Sequence, residues 1–382
     1  MYRLTPEQTT LVANARSIAG TVVAAHATDV DESARFPKES LAALAASGFY
    51  GLTIPTELGG LGQGLGVAAA VVDELAQCCA STAMVYMMHL AGVGCLLADT
   101  AKFDSILRAA AAGKHLTTLA FSEKGSRSQF WAPVSKTTAT AAGVTLSAEK
   151  SWVTSAGVAD SIVCSAGSLD GQGVTVLLVL KDDPGVSISG GWVSLGMRGN
   201  QSNPMSLVDV PLDFASRLIG VDGSGGDIML GKALPFFQIC QAAIGAGLAE
   251  AAFAAAQGHI TGEGFAHTGT KLCDLPNLRA SLAQMRMETD KARAYLVAIL
   301  DKLESGAPDA MLHVLAGKAS SSEAAVLVAD IAMRACGGAA FSKHLRLERV
   351  FRDTRAAIVT APTTDHLKEF VGRLLVGMPL FD

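Results

Sequence analysis

The chain has 382 residues, half of them hydrophobic and 17% charged, with a formal net charge of −5. That length supports two or three domains with sizeable cores, and so apolar a composition argues against disorder. The slight acidity, with no run of Lys or Arg, argues against a nucleic-acid partner, and seven scattered Cys with no Cys-x-x-Cys argue for reduced thiols in a cytoplasmic protein without a metal site.

Thr5-Pro6-Glu7 predicts a helix start, with a capping hydroxyl, a proline in the first turn and an acid near the positive end. That helix is expected to run to about His26, and its polar start is not that of a signal peptide. A second helix is expected over 37–46, stopped by Gly48. The glycines at 59, 60, 62 and 64 lack the Lys-Ser/Thr and the strand-to-helix setting of a phosphate loop, so they read as a turn with unusual backbone angles. Helices are then expected over 67–80, 81–100 and 103–112. Met84, Met87, Met88 and His89 could line an apolar pocket, although core packing is the plainer reading.

Between about 116 and 211 the pattern changes to short alternating or apolar runs, the mark of strands. They are expected at 119–122, around Val144, Leu146 and Ala148, and at 161–165, 174–180, 186–188 and 207–211. The loop with Ser122, Gly125, Ser126 and Ser128 offers hydroxyls and uncluttered N–H groups for a phosphate or ring oxygens. Trp152 and Thr154, two apart on a strand, are expected on one face, where an aromatic plane and a hydroxyl could meet one flat ligand. Helical periods return over about 230–260, 275–303, 309–336 and 364–375, four helices that make a bundle. Ala242, Ala243, Gly245 and Gly247 allow close helix contacts. The two long apolar windows, 84–98 and 233–256, are broken by His89 and by Gln238, Gln241 and Glu250, so core helices are expected and no membrane span.

Ser122-Glu123-Lys124 followed by Arg127-Ser128-Gln129 is similar to the Thr/Ser-Glu-Pro … Gly-Ser-Asp signature of the acyl-CoA dehydrogenase superfamily. Lys150-Ser151-Trp152-Val153-Thr154-Ser155 resembles its Lys-x-Trp-Ile-Thr-Asn, and Gly196-Met197-Arg198-Gly199 its Gly-Met-Arg-Gly. The resemblance covers nearly the whole chain. It implies an α+β fold: an N-terminal helical domain (1–115), a central β-barrel-like domain (116–222) and a C-terminal four-helix bundle (223–382).

The resemblance also implies FAD, seated by Phe121, Ser122, Ser128, Trp152 and Thr154. Arg334, Gly337 and Gly338, which match a family Gln-x-x-Gly-Gly, would serve the pyrophosphate and adenine end with Thr363 and Asp365. An acyl thioester, on CoA or a carrier protein, would meet Met88 and Gln238, the latter where the family commonly has a CoA-binding arginine. The family's usual glutamate base falls at Ala361, after Arg352-Asp353-Thr354-Arg355, and its alternative position falls at Phe237 or Gln238. None of these takes a proton. Candidates for a displaced base are Glu123, His259, Glu263, His267, Asp365 and His366, each with a solvated or structural reading beside it.

Three functions follow from the resemblance. The first is oxidation of the α,β-bond of an acyl thioester, with electron-transfer flavoprotein or oxygen as acceptor. The second is a flavin monooxygenase, which needs no α-proton base. The third is a non-catalytic subunit paired with an active paralogue. A homodimer or tetramer is expected for the first two.

Overall fold

The computed structural model describes residues 2–127, 129–141 and 143–381. The first helix, α1 (Pro6–Ile18), opens as its sequence demands. The Thr5 hydroxyl accepts from the Gln8 N–H at 3.3 Å, while Gln8 Oε1 accepts from the Thr5 N–H at 3.1 Å. It does not stop near His26. A π turn over Ala19–Val23, which takes up Gly20, passes directly into α2 (Ala24–Glu32), with no proline to interrupt it. Then come α3 (Lys38–Ala46), α4 (Leu65–Ala76), α5 (Ala80–Leu96) and α6 (Asp104–Ala111). The glycine turn before α4 is sterically required: a Cβ on Gly60 would lie 2.0 Å from the Ile54 carbonyl oxygen.

The middle of the chain supplies β1 (Thr117–Ala120), β2 (Lys136–Thr140), β3 (Gly143–Val153), β4 (Ser161–Gly167), β5 (Val174–Leu180), β6 (Val186–Ile188) and β7 (Asn203–Leu212). A short α7 (Phe214–Arg217) and β8 (Leu218–Ile219) complete it. The described strands run in the order β6-β7-β3-β2-β4-β5-β8, with β1 parallel on β4. Alternation sorts the two faces. Ile162, Cys164, Leu177 and Val179 join the core enclosed by the sheet, whereas Val163, Val176 and Leu178 pack on the helices. Strands buried on both faces explain the consecutive apolar residues at 162–164 in β4 and 176–180 in β5.

The chain then returns to helix through α8 (Gly225–Ile228), a second π turn over Met229–Ala233 and α9 (Leu234–Gly262). A hairpin of β9 (Gly264–Phe265) and β10 (Thr270–Lys271) precedes α10 (Pro276–Glu304), α11 (Ala310–Cys336), α12 (Gly338–Phe341), α13 (Leu347–Val359) and α14 (Thr364–Leu375). The expectation of four helices omitted α13. Its apolar spacing is regular, with Leu347, Val350, Thr354 and Ala357 buried, but polar residues between them mask it. Small residues on α9 set the bundle's spacing. A Cβ on Gly245 would meet Ser321 Oγ of α11 at 2.7 Å, and one on Gly247 would meet the Asp73 carbonyl of α4 at 2.6 Å. One described helical stretch, Gly225–Gly262, is long and apolar enough to cross a membrane, and 72% of its apolar window is buried inside the protein.

Candidate active site

Helices, sheet and bundle meet around a cavity of about 570 Å³. Its apolar floor is Met84 and Met88 from α5, Leu119 from β1, and Met229, Leu234 and Phe237 from the start of α9 and the turn before it. The loop after β1 contributes Phe121, Ser122, Lys124 and Arg127, and the end of β3 contributes Ser151, Trp152 and Thr154. Thr360, Ala361 and Pro362, between α13 and α14, close another wall. Of the apolar helix residues singled out from sequence, Met84 and Met88 face the cavity. Met87 and His89 do not. His89 Nε2 donates to the Tyr50 carbonyl at 2.9 Å while Nδ1 accepts from the Thr117 N–H at 3.2 Å, and burial lowers its pKa to about 4, so it is a neutral core histidine.

The loop from Ser122 to Ser135 is fixed by an ion pair that its sequence does not advertise. Alternation along β3 places Leu146, Ala148 and Lys150 on the buried face. A buried lysine demands a counter-charge, and Glu123 provides it. Lys150 Nζ donates to Glu123 Oε1 and to the Ser165 carbonyl, both at 2.5 Å, and neither charged side chain is exposed. Glu123 Oε2 accepts from the N–H groups of Val134 and Ser135 at 2.7 and 2.8 Å, and Ser135 Oγ donates to Oε1. Burial pushes the carboxyl up, but Lys150 and the Ser135 donors outweigh it and hold the pKa below its ordinary value. Glu123 is therefore an ionised structural anchor, which removes it from the candidate bases. It is also the one carboxylate among the described residues lining the cavity.

Trp152 and Thr154 do not share a face by simple alternation. The ladder between β3 and β7 shifts register between Lys150 and Val153, and Trp152 takes a left-handed backbone with φ +58°. The bulge turns the indole outward, 67% exposed, while Thr154 is buried with Oγ1 3.0 Å from Ser202 Oγ. Both still line the cavity. Trp192 meets Trp152 edge-on at 5.6 Å and donates from Nε1 to the Met197 carbonyl at 3.0 Å.

The turn carrying Met197 is itself clamped. The Asp353 carboxylate accepts from the Met197 N–H at 2.5 Å, and burial raises its pKa to about 6. Arg352 donates to both Asp31 oxygens at 2.6 and 3.0 Å and to the Leu195 carbonyl at 3.0 Å. A Cβ on Gly196 would lie 2.4 Å from the Arg352 carbonyl oxygen. The Arg-Asp pair and the glycine thus hold a cavity wall by contact rather than by chemistry.

The structure does not bring every predicted residue to this cavity. Gln238 is fully buried away from its wall, with both side-chain amide atoms unpartnered, while its neighbour Phe237 faces the cavity. Successive helical residues point about 100° apart, so one of the two had to turn away. Arg334, Gly337 and Gly338 are exposed at the end of α11, outside the wall. Thr363 caps α14, its hydroxyl accepting from the His366 N–H at 3.3 Å, and Asp365 is exposed beyond it. Of the other candidate bases, His259, Glu263, His267 and His366 likewise lie off the wall. Ser128 falls outside the described residues. Trp192, Asn200 and Ser202 line the cavity and were missed. The Gly-Met-Arg-Gly turn between Trp192 and Asn200 was the signal that could have found them.

Comparison with known proteins matches three domains of one family. These are the acyl-CoA dehydrogenase N-terminal domain over residues 5–102, the middle domain over 118–210 and the C-terminal domain over 223–375. A probable acyl-CoA dehydrogenase, fadE25 of Mycobacterium leprae, is 28% identical over 386 residues, spanning 98% of this chain and 97% of the relative. The structure of butyryl-CoA dehydrogenase from Megasphaera elsdenii superposes with a TM-score of 0.92 at 22% identity, covering 98% of this chain and 100% of that one. An FAD complex of PigA superposes at 0.90 with 20% identity, covering 98% and 99%.

Proposed function

The chain belongs to the acyl-CoA dehydrogenase family, and from that premise we propose that it is an FAD-dependent oxidoreductase acting on the α,β-bond of an acyl thioester in this cavity. The observation that carries the reading is the pairing of surfaces in one space. An exposed indole and the hydroxyls of Ser122 and Thr154 stand on the sheet side, and an apolar floor of Met84, Met88, Leu234 and Phe237 stands on the helix side. The residues present fit a flavin ring: Trp152 offers an aromatic face left bare by its own protein, and Gly125, at φ +102°, leaves the nearby backbone open. A bound flavin would supply the hydride acceptor. The apolar floor would take the acyl chain and exclude water from it.

Ala361 stands in the wall where the resemblance calls for a glutamate, and Glu123 is committed to Lys150. No described carboxylate of the wall is then free to take the α-proton, which would leave to another group, such as water or one carried by the substrate. The same two facts favour a second reading, a flavin monooxygenase in which reduced flavin meets oxygen and no α-proton base is needed. Under the first reading the acceptor is electron-transfer flavoprotein or oxygen. Arg334, Gly337 and Gly338, exposed away from the cavity, would reach a flavin bound in a neighbouring copy, which supports a homodimer or tetramer.

Purified protein should carry stoichiometric FAD, identified by its absorbance and by chromatography after denaturation. Protein folded but free of flavin would remove both readings and favour a non-catalytic subunit that pairs with an active paralogue.

A further inference from the structure

Lys318 lies in the middle of α11 and is fully buried. No carboxylate pairs with it among the described residues. Its two hydrogen bonds both go to main-chain carbonyls, Thr360 O at 3.1 Å and Pro362 O at 3.0 Å. Those carbonyls bracket Ala361, and all three residues line the cavity. Burying a cation without a counter-ion is costly. A serine or threonine hydroxyl would satisfy one carbonyl at lower cost, but a lysine reaches two carbonyls two residues apart with one group. Lysine also explains how a segment between two helices, with free carbonyls facing the protein interior, keeps a single shape.

We propose that Lys318 is a positioning residue for the cavity: its two bonds hold the Thr360–Pro362 wall in place, and the wall moves off the still-buried amine more readily once that amine loses its proton. Protonated, it makes charge-assisted bonds to both carbonyls. Neutral, it makes ordinary, weaker ones. Burial alone lowers its pKa to about 7, so the change falls near neutrality. The elements packed against α11 are α9, α10, α12, α13 and α14. Most of their charged groups are engaged elsewhere. Arg355 pairs with Asp330, Arg352 with Asp31 and Glu348, and Lys368 with Glu323. Glu250 pairs with Arg286 and Arg293, and Glu288 with Lys291. Arg349 donates to Thr28 and the Cys78 carbonyl, and Asp353 accepts from Met197. Asp365 is exposed, and His366 stacks on Phe370 at 6.1 Å.

The relevance of this wall to catalysis rests on the proposed acyl-thioester reading, but its test does not need substrate. Hydrogen exchange is followed by mass spectrometry in the peptide spanning 359–364 of the full-length protein, corrected for intrinsic exchange. In the wild type, protection should fall about tenfold as pH rises from about 6 to about 9. Lys318→Met should show low protection with no pH step, and Lys318→Arg, which keeps its charge, high protection with no step. The wild-type series stands by itself if a variant fails to fold. Protection independent of pH in the wild type, or unchanged in a folded Lys318→Met, would overturn the proposal. With the flavin-loaded protein, Lys318→Met should lower the rate of flavin reduction by an acyl-CoA at saturation more than it changes the half-saturating concentration. A loosened segment with unchanged reduction kinetics would overturn the positioning role. Failure of acyl-CoAs to reduce even the wild type would count against the thioester reading, and the exchange result would still decide the clamp.

Discussion

Replacing Lys150 with methionine isolates the anchor of the cavity loop. The substitution keeps the length of the side chain and removes its charge, leaving the Glu123 carboxylate buried without its cation. Removing one partner of a buried pair costs about 3–5 kcal/mol, because the other charge stays desolvated. Three donors from Val134 and Ser135 remain on Glu123 and offset part of that. The lost Lys150 bond to the Ser165 carbonyl adds about 0.5–1.5 kcal/mol in the other direction. A loss of roughly 3–5 kcal/mol near neutral pH is therefore expected.

The loss should also depend on pH, with a defined sign. In the wild type the Glu123 pKa lies below its ordinary value, so its contribution is present above the unfolded pKa and lost as pH falls through the folded one. Without Lys150, burial dominates and raises that pKa, so the variant gains a proton and recovers stability on acidification. The gap between the proteins should narrow toward about pH 4. All three tryptophans, Trp131, Trp152 and Trp192, lie in the middle region. Tryptophan fluorescence during urea unfolding therefore reports the part of the protein that carries the pair. A loss below about 1 kcal/mol at neutral pH, or a gap that does not narrow on acidification, would refute the reasoning.

Trp152→Ala should weaken flavin binding by about 1–2 kcal/mol, roughly five- to thirty-fold, from lost stacking and burial. Equilibrium dialysis measures it, and an unchanged affinity would remove the indole from the flavin seat. Ala361→Glu places a carboxylate in the cavity wall and should raise acyl-CoA oxidation by about 10²-fold or more. No gain in a folded, flavin-loaded variant would mean that no thioester α-carbon is presented there. Lys318 titrates at about 7 when folded, below its ordinary 10.5, so the unfolded chain binds the extra proton between those values. Its contribution makes stability rise with pH across that window, and Lys318→Met should flatten this part of the profile in urea titrations. An unchanged slope would show that the amine is not buried uncompensated.

Much of the fold was legible because its signals are local. The Thr5 cap, the Gly48 stop and the apolar runs of β4 and β5 each act within a few residues. What escaped depends on contacts across the chain. Glu123 and Lys150 lie 27 residues apart, and only the alternation from Leu146 through Ala148 to Lys150 hints that the lysine is buried. The bulge at Trp152 breaks the period of two on which a shared face with Thr154 was expected, and its left-handed backbone has no glycine to announce it. No local signal marks Lys318 as special, although Val314, Leu315, Ser321 and Ser322 around it are all buried. At the candidate site, Met88, Phe237 and Ala361 reached the cavity wall. Gln238 did not, since the rotation of α9 is set by packing that a single sequence leaves open.

The central claim is that this cavity presents an acyl thioester to a flavin, and anaerobic titration of the flavin-loaded protein with a panel of acyl-CoAs tests it most directly. The account predicts that at least one thioester bleaches the flavin absorbance without any other reductant. Flavin that stays oxidised with every thioester, and is reduced only by an external reductase before reacting with oxygen, would contradict it and establish the monooxygenase.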